Sequence, residues 1–426
     1  MAYLAELGTF GIKPGLGRIK KLLELCENPQ ERYRKVHITG TNGKGSVTAM
    51  LSGILTQSGL HTGMFTSPHL VSYTERIQVD GQPISEEDFA RYLSYLKTKI
   101  RHMKEMDFDS PTQFEVLTAL AFWYFADKNV DYAVIEVGLG GLLDSTNVIR
   151  PEVSVITNVT LEHADKCGGT LEGVAMHKAG IIKDGVPVVT AAEGMPLEII
   201  EKTAEEKNAD VFVAGRDFYV QELETEDDVQ SFEFSSALIG VTNWHYDVPL
   251  LGKYQRQNSA LAVMTAELLR NNDEHITPES IAQALELIRW PGRFEKVMLG
   301  KQRVIIDGAH NPAGMQALRS SLDEYFPAEP RVFVMGILHD KNIREMTAAL
   351  LRPTDIVVLT KPDSERAAET AEVAGCIQVQ HLEQYDDMQE ALDRGIELAN
   401  EEKLLCLTGS LYLIGELRAK VLAKKE

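Results

Sequence analysis

A glycine-rich segment with one lysine and one serine lies near the N-terminus, at residues 40–46. It reads Gly-Thr-Asn-Gly-Lys-Gly-Ser, follows the β-branched run Val36–Thr39 and precedes a helix-period segment. Glycines let backbone N–H groups converge on phosphate oxygens, and the following helix N-terminus favours negative charge. Lys44 would reach the β- and γ-phosphates of a nucleotide, and the Ser46 hydroxyl would approach Mg²⁺. The spacing departs from a standard Walker A sequence, because Gly45 separates these two residues. The candidate phosphate-binding residues are Gly40, Thr41, Asn42, Gly43, Lys44, Gly45 and Ser46.

Two further side chains with metal-binding chemistry follow predicted buried strands. Glu136 follows the apolar residues 133–135, and His163 lies just beyond Val153–Val159. The carboxyl ends of parallel strands are where α/β sheets open their ligand crevices. A salt bridge at the strand end would explain Glu136 equally well, and a lone histidine is more often structural. The residues alone leave both alternatives open.

Short β-branched runs alternate with helix-period segments along most of the chain. The predicted strands are Val36–Thr39, Tyr132–Val137, Val153–Val159, Val186–Thr190, Val304–Asp307, Val332–Met335, Ile356–Thr360 and Leu404–Thr408. Strands that alternate with helices indicate parallel sheets covered by helices. The predicted fold class is α/β, with a P-loop-type ATPase domain on a mainly parallel sheet and a smaller C-terminal Rossmann-like α/β domain.

Two segments interrupt this alternation. Residues 222–233 contain acidic and no basic side chains, which predicts an exposed edge or a hairpin. The other segment is Trp-Pro-Gly-Arg at 290–293, after which the strand–helix alternation restarts at Val304. We therefore predict two domains, residues 1–295 and residues 296–426.

The chain is strongly acidic, since 43 Lys and Arg against 63 Asp and Glu in 426 residues give a formal net charge of −20. This charge disfavours nucleic acid and anionic membranes as partners. Residues 1–46 differ, with eight basic and four acidic side chains, and we expect this positive charge to surround a bound anion. No stretch has the ~18 consecutive apolar residues of a membrane span. The four cysteines form no CxxC pair, which predicts a reducing, cytoplasmic location.

Nine short motifs occur in a fixed order along the chain. They are GTNGKGS at 40–46, TSPHL at 66–70, ERI at 75–77, TQFE at 112–115, EVGLGG at 136–141, KAGIIK at 178–183, WPGR at 290–293, DGAHNP at 307–312 and GSLY at 409–412. Together they resemble the folylpolyglutamate synthase/dihydrofolate synthase family of the Mur ligase superfamily. The resemblance implies an ATP-dependent ligase that holds its nucleotide between two domains.

The resemblance also implies bound metal and a modified lysine. The implied metal ligands are Ser46, Ser67, Glu136, His163 and Lys178. Oxygen ligands suit Mg²⁺, and the histidine leaves Mn²⁺ as an alternative. In the family, the lysine that matches Lys178 is carbamylated and binds a second metal ion, and a lysine must be neutral to take up carbon dioxide. His177 departs from the family pattern, which has an acidic residue at that position.

Further roles fall on polar residues near the predicted domain boundary and beyond it. The candidate nucleotide-binding residues outside the glycine-rich segment are Asn258, Arg293 and Asp307. The candidate catalytic residues are Lys44, Lys178 and His310. Gln255 would contact the adenine or belong to a polar cluster at a helix start. His310 and Ser410 would contact glutamate; alternatively, His310 supports the Asp307 loop and Ser410 belongs to an ordinary Gly-Ser turn.

A pterin site is implied at TQFE and after EVGLGG. Its candidate residues are Thr112, Gln113, Phe114, Glu115 and Asp144. Phe114 offers a ring for stacking and Glu115 a carboxylate for pterin N–H groups. Thr112 and Glu115 also fit a helix capping box, and both interpretations can hold together. Leu142 occupies the position of a family arginine, which puts dihydropteroate in doubt as a substrate.

The implied reaction adds L-glutamate to the γ-carboxylate of a reduced folate such as tetrahydrofolate, using ATP and an acyl phosphate. Dihydropteroate is the second candidate acceptor, and its use would make dihydrofolate synthase the main activity. A cell-wall precursor ligase of the same superfamily fits TSPHL, ERI and GSLY less well. A P-loop NTPase or kinase without ligase activity leaves DGAHNP and KAGIIK unexplained. The implied partners are these small molecules alone, and the family suggests a monomer.

Overall fold

The computed structural model describes residues 4, 13–162, 166–226, 228–327 and 329–425. An eight-stranded sheet in the order β4-β3-β2-β5-β1-β6-β7-β8 organises the first part of the chain. Its strands are β1 (Arg34–Thr39), β2 (Thr62–Phe65), β3 (Ile77–Val79), β4 (Gln82–Pro83), β5 (Tyr132–Glu136), β6 (Val153–Ile156), β7 (Val188–Thr190) and β8 (Val211–Val213). All neighbours from β2 to β8 pair parallel, whereas β3 pairs antiparallel with β2 and β4. The carboxyl ends of β5, β1 and β6 therefore lie side by side.

Helices cover both faces of this sheet. They are α1 (Gly17–Leu25), α2 (Lys44–Gln57), α3 (Glu86–Glu105), α4 (Gln113–Asp127), α5 (Leu171–Ala179), α6 (Gly194–Glu206), α7 (Lys253–Arg270) and α8 (Pro278–Leu287). One core joins β1 to α2, α7 and α8, and a second core on the other face joins β5 to α1, α3 and α4. The central strands carry apolar side chains on both faces because both faces are buried.

The acidic segment 222–233 lies in a small antiparallel sheet and belongs to a hairpin, one of the two alternatives predicted for it. Its strands are β9 (Tyr219–Glu226), β10 (Val229–Ser236) and β11 (Val241–Val248), and β9 and β10 form a hairpin. Phe232 and Phe234 are fully buried from β10 and join the core of α7 and α8. Alternation along β10 therefore buries every second side chain and anchors one face of this sheet.

A six-stranded sheet in the order β12-β13-β17-β14-β15-β16 organises the rest of the chain. Its strands are β12 (Glu295–Leu299), β13 (Gln302–Ile306), β14 (Arg331–Met335), β15 (Ile356–Leu359), β16 (His381–Gln384) and β17 (Leu404–Thr408). Its helices are α9 (Pro312–Tyr325), α10 (Ile343–Leu350), α11 (Thr370–Ala374), α12 (Met388–Ala399) and α13 (Leu411–Lys425). Only the β12–β13 pair is antiparallel among its described strands.

The α/β fold class is confirmed, and each of the eight predicted strand segments contains a strand. The six-stranded sheet begins at Glu295, while the division into domains 1–295 and 296–426 stays a prediction. Among the described residues, no helix combines the length and the apolar composition that crossing a membrane requires.

Candidate active site

A cavity of about 500 Å³ lies between the carboxyl ends of β1, β5 and β6 and the loop that follows β13. Both large sheets contribute to its wall. The predicted site residues that line it are Gly40, Thr41, Asn42, Gly43, Lys44, Gly45, Ser46, Ser67, Glu136, Lys178, Asn258, Arg293, Asp307 and His310. Residues up to 270 positions apart in the sequence are thus brought to one cleft.

The glycine-rich loop runs from β1 into α2, and two of its glycines are required by geometry. Gly40 has φ 153° and Gly43 has φ 85°, a region that favours glycine. A Cβ on Gly40 would overlap the Thr157 hydroxyl, and one on Gly43 would overlap the Asn258 amide. The loop is tied to the segment after β6, since the Asn42 N–H donates to Asn158 Oδ1 at 3.0 Å. Its backbone is therefore held in one conformation along the cavity wall.

Lys44 opens α2 and folds back on its own loop. Its Nζ donates to the carbonyl oxygens of Gly40 at 3.0 Å and Thr41 at 3.1 Å. Ser46 lies one turn into the helix and is buried at the cavity wall. A phosphate bound at the helix N-terminus would offer Lys44 oxygens that carry more charge than these carbonyls.

Glu136 ends β5 and is only 4% exposed. Its Oε2 accepts the Ser67 N–H at 3.1 Å, and within the described part of the chain no ion pair reaches it. Burial raises the pKa of Glu136 from its ordinary 4.5 to about 6, and the positive charge of Lys44 opposes that rise. A carboxylate this deprived of water is stabilised by any cation that enters the cavity.

Lys178 lies near the end of α5 and is 5% exposed. Burial, reinforced by the charge of Lys44, lowers the pKa of Lys178 to about 7. The loop after β5 packs on this helix, with the Leu142 N–H donating to the His177 carbonyl at 2.7 Å. His163, the other implied ligand near this point, lies outside the described residues.

The six-stranded sheet, called the second sheet from here on, contributes Arg293 and Asp307. Asp307 follows β13, and its carboxylate accepts the N–H groups of Phe294 at 2.8 Å and Ala309 at 2.9 Å. The Tyr254 hydroxyl approaches the same carboxylate at 3.4 Å. Asp307 therefore fixes the turn that carries Arg293 into the cavity.

His310 follows on the same loop as Asp307. Burial lowers the pKa of His310 to about 4, so the imidazole is neutral near pH 7. Its Nδ1 lies 2.8 Å from the Gly308 carbonyl oxygen, which can only accept a hydrogen bond. The proton therefore sits on Nδ1, and Nε2 is left as an acceptor.

Gln257 lines the cavity although it was not predicted to, whereas the predicted Gln255 is buried and does not line it. Asn258 lines the cavity, whereas Gln255 is fully buried and accepts the Asn258 amide N–H at 2.9 Å. Gln257, two positions after Gln255 on α7, lines the cavity instead. The register of an α-helix start decides which of two neighbouring glutamines faces outward, and no sequence signal marked it here.

None of the implied pterin residues belongs to the described wall of the cavity, although Phe114 and Asp144 lie against its lining residue Gly138. Thr112 and Glu115 form the predicted capping box at the start of α4, and Glu115 Oε1 is buried without a hydrogen-bond partner. The Gln113 amide donates to Leu4 and Tyr73. The Phe114 ring packs on Phe65 with centroids 5.9 Å apart.

Asp144 and Ser410 both have structural partners. Asp144 accepts the Leu139 N–H at 2.9 Å and the Thr146 hydroxyl at 2.6 Å. Ser410 is fully buried, and its hydroxyl accepts the Tyr412 N–H at 3.2 Å at the start of α13. The contacts with pterin and with glutamate assigned to these two residues stay predictions.

The expectation that the positive N-terminal segment surrounds the anion is wrong. Of the eight basic side chains in residues 1–46, all within the described range, Lys44 lines the cavity and the other seven do not. Arg18 instead donates to Glu115 Oε2 at 3.1 Å, and Arg34 pairs with Asp273 at 2.8 Å. Local sequence charge did not predict position, because Arg18 and Arg34 pair with carboxylates far along the chain and away from the cavity.

Comparison with known proteins gives one consistent family. The middle-domain model of the Mur ligases matches residues 38–266, and the model of the Mur ligase glutamate ligase domain matches residues 292–411. A dihydrofolate synthase/folylpolyglutamate synthase of Bacillus subtilis is 34% identical over 97% of this chain and 96% of its own length. A folylpolyglutamate synthase of Lacticaseibacillus casei is 36% identical over 96% of this chain and 94% of its own. The structure of Mycobacterium tuberculosis folylpolyglutamate synthase complexed with ADP and AMPPCP superimposes with a TM-score of 0.89 at 30% identity, covering 99% of this chain and 98% of that one.

Replacing Gly43 by alanine should abolish nucleotide binding, because the added Cβ meets the Asn258 amide and the backbone is in a glycine conformation. We expect an affinity loss of at least about 100-fold, equivalent to about 3 kcal/mol, measured by calorimetric titration with ATP. Gly53→Ala is the matched control within α2, since its Cβ finds only Ile288 at 3.9 Å. That variant should bind normally and unfold at a higher temperature. Normal ATP affinity in Gly43→Ala would show that the phosphates bind elsewhere.

Replacing Glu136 by glutamine should stabilise the ligand-free protein at high pH. The folded pKa of about 6 exceeds the ordinary 4.5, so the ionised carboxylate destabilises the fold above that pKa and does not below the unfolded pKa. The shift corresponds to about 2 kcal/mol. Urea unfolding at about pH 8 and about pH 5 should show the gain mainly at the higher pH. Glu193→Gln, an exposed carboxylate on the same wall, is the control and should give no such gain; an equal gain in both variants contradicts the argument.

Proposed function

The chain belongs to the folylpolyglutamate synthase/dihydrofolate synthase family of Mur ligases, and from that membership we propose that it adds L-glutamate to the γ-carboxylate of tetrahydrofolate-type substrates. It is an ATP-dependent ligase that joins glutamate to a folate. The observation that carries the specific proposal is the single cavity in which the glycine-rich loop faces Arg293 and His310. Phosphate-binding groups and a neutral base candidate share that cavity, as acyl activation followed by amine attack requires.

The chemistry begins with a carboxylate, which is a poor electrophile because its charge repels nucleophiles. Transfer of the γ-phosphoryl group of ATP to it gives an acyl phosphate with phosphate as leaving group. Lys44 and Arg293 approach the cavity from opposite sheets and would stabilise charge on the transferred group. The amine of glutamate then attacks the acyl carbon, and the tetrahedral intermediate collapses to the amide.

We assign to His310 a role in this second step. Its Nε2 is an acceptor, because Nδ1 donates to the Gly308 carbonyl and the pKa is well below neutrality. A hydrogen bond from the attacking amine to Nε2 would orient the amine lone pair toward the acyl carbon.

The donor set fits Mg²⁺ held jointly by protein and nucleotide. The described residues contain no cluster of three His, Cys, Asp or Glu side chains suited to a metal, which is typical of sites where phosphates supply most of the ligands. Glu136, Ser46 and Ser67 would hold the ion, and His163 is implied as a further ligand by the family resemblance. When bound, Mg²⁺ supplies charge compensation for the polyphosphate. The unpaired, buried carboxylate of Glu136 supports this assignment.

Carbamylation of Lys178 is the second part of the cofactor proposal. The reaction needs a neutral amine, and the lowered pKa of about 7 makes the neutral form abundant at physiological pH. The product is an anion in place of a buried cation that Lys44 repels, and it would hold a second metal ion.

The choice of acceptor rests on the loop after β5. Leu142 stands there in place of an arginine implied by the family resemblance, and it is 44% exposed. Because leucine is uncharged, this position offers no positive charge to dihydropteroate. We therefore propose tetrahydrofolate as the main acceptor, dihydropteroate as a weak one, and a monomeric enzyme located in the cytoplasm. The four cysteines, all within the described part of the chain, form no disulfide, which agrees with a reducing compartment.

The assay that tests this activity measures phosphate release from ATP with tetrahydrofolate or dihydropteroate, each with and without L-glutamate. Phosphate release should require tetrahydrofolate and glutamate together. Its rate with tetrahydrofolate should be at least about tenfold higher than with dihydropteroate, which corresponds to a difference of about 1.4 kcal/mol in the activation barrier. Product mass should increase by one glutamate residue. Phosphate release that ignores glutamate would exclude ligase activity, and equal rates with dihydropteroate would reverse the proposed preference.

Removal of carbon dioxide tests the carbamate. Enzyme dialysed against bicarbonate-free buffer at about pH 6, where Lys178 is mainly protonated, should lose activity and regain it when bicarbonate is added at about pH 8. Lys178→Ala should stay inactive in both buffers, whereas Lys183→Ala, at the other lysine of the same motif, should respond as the unmodified chain does. Bicarbonate-independent activity would contradict the proposed modification.

A further inference from the structure

Glu162 sits at a junction of the two sheets that the reaction as described does not use. It follows β6 and is held to the glycine-rich loop through Thr160, whose N–H donates to the Thr41 hydroxyl at 2.9 Å. The Glu162 N–H donates in turn to the Thr160 carbonyl at 2.9 Å. Its carboxylate therefore moves with the phosphate-binding loop.

Donors from the second sheet converge on this carboxylate. Asn311 Nδ2 donates to Oε2 at 2.9 Å, and Lys341 Nζ donates to Oε1 at 3.3 Å. His310 Nε2, an acceptor in the neutral imidazole, lies 3.8 Å from Oε1 and is therefore not one of these donors. The ion pair is shielded from water, with 13% of the Glu162 side chain and 12% of the Lys341 side chain exposed. Removing one partner of such a pair leaves an uncompensated charge away from water.

Asn311 links three parts of the junction through hydrogen bonds of its side chain. Besides Glu162, its Nδ2 donates to Asn42 Oδ1 at 3.1 Å in the glycine-rich loop. Its Oδ1 accepts the Gly314 N–H at 2.7 Å and caps α9. One side chain thus ties the start of α9, and with it the His310 loop, to the glycine-rich loop through Asn42 and to the segment after β6 through Glu162.

We propose that Glu162 is a positioning residue: its carboxylate, held by Asn311 and Lys341, latches the second sheet onto the phosphate-binding loop and sets the distance from His310 to the transferred phosphoryl group. The latch rests on the proposed function, because its purpose is to align His310 and Arg293 with the acyl phosphate. It acts on the chemical step and leaves the binding of free substrates largely unchanged.

A double-mutant cycle tests the latch. Glu162→Gln keeps the shape and an oxygen for Asn311 but removes the charge that Lys341 needs, and Lys341→Met removes the other partner. Each should lower kcat, by up to about 100-fold, with less than about a threefold change in KM for glutamate and for ATP. The combined variant should be no slower than the slower single variant, because both changes remove one interaction. Thermal unfolding of each variant shows whether it is folded.

The control is a second ion pair between the same two parts of the chain. Lys296 Nζ and Asp228 Oδ2, 2.6 Å apart, join the β9–β10 hairpin to β12 outside the cavity. Lys296→Met should keep kcat and KM within about twofold of the unmodified enzyme, as exposed pairs contribute little. A loss of kcat in this variant equal to that in Glu162→Gln would show that any contact between the sheets suffices, and would overturn the assignment.

Other outcomes also decide the matter. A rise in KM for glutamate in Lys341→Met that persists in the Glu162→Gln background would mean that Lys341 binds substrate directly. A faster Glu162→Gln would mean that the carboxylate blocks the site. Small-angle scattering with a non-hydrolysable ATP analogue is independent of turnover: the unmodified chain should be compact and Glu162→Gln more extended, and equal dimensions would contradict a latch. If the unmodified enzyme shows no glutamate dependence, the proposed function fails while the scattering result still judges the latch.

Discussion

A charged group removed from water must find an opposite charge or give up its own, and the site of this protein is built on that constraint. Glu136 and Lys178 are both buried at the cavity wall, and burial shifts the pKa of each toward the neutral form. Neither is paired with the other, so the ligand-free site holds unfavourable electrostatics in reserve. Cations beside Glu136, and conversion of Lys178 to an anion, would each relieve part of that cost. Binding of the proposed metal ion beside Glu136 would therefore be favoured by the same burial that destabilises the empty protein.

Parallel strands make this arrangement possible. β5, β1 and β6 end side by side, so the carboxylate of Glu136, the glycine-rich loop and the segment of Thr160 lie at one edge without long connections. The second sheet repeats the device: Asp307 follows β13 and organises the turn that presents Arg293. Each of the two large sheets supplies part of the site, and the site is complete only where the two sheet edges face one another.

The sequence predicted those parts of the fold and site that depend on local order. Most of the eight predicted strands are rich in β-branched residues and nearly all of their side chains are buried, and the glycine-rich loop was recognisable because its residues are adjacent. β2 escaped notice because Thr62–Phe65 contains Gly63 and only one β-branched residue, and β16 because His381–Gln384 is a polar edge strand. The contacts of Glu162 with Asn311 and Lys341 span 149 and 179 residues. Such pairs depend on how two sheets are oriented, which no local pattern encodes.

The charge of the cavity shows why composition alone misled. Its described wall carries three Lys or Arg side chains and four Asp or Glu side chains, and His310 is neutral, so side-chain charge does not make the cleft positive. For the nucleotide that we propose at the glycine-rich loop, the N-terminus of α2 would supply partial positive charge without a basic side chain. Carbamylation of Lys178 would make the wall more negative still, and metal ions would then be needed to balance both protein and phosphate. In the proposed site, divalent cations shared between the acidic protein and its acidic substrate would carry the charge compensation that Lys and Arg do not provide.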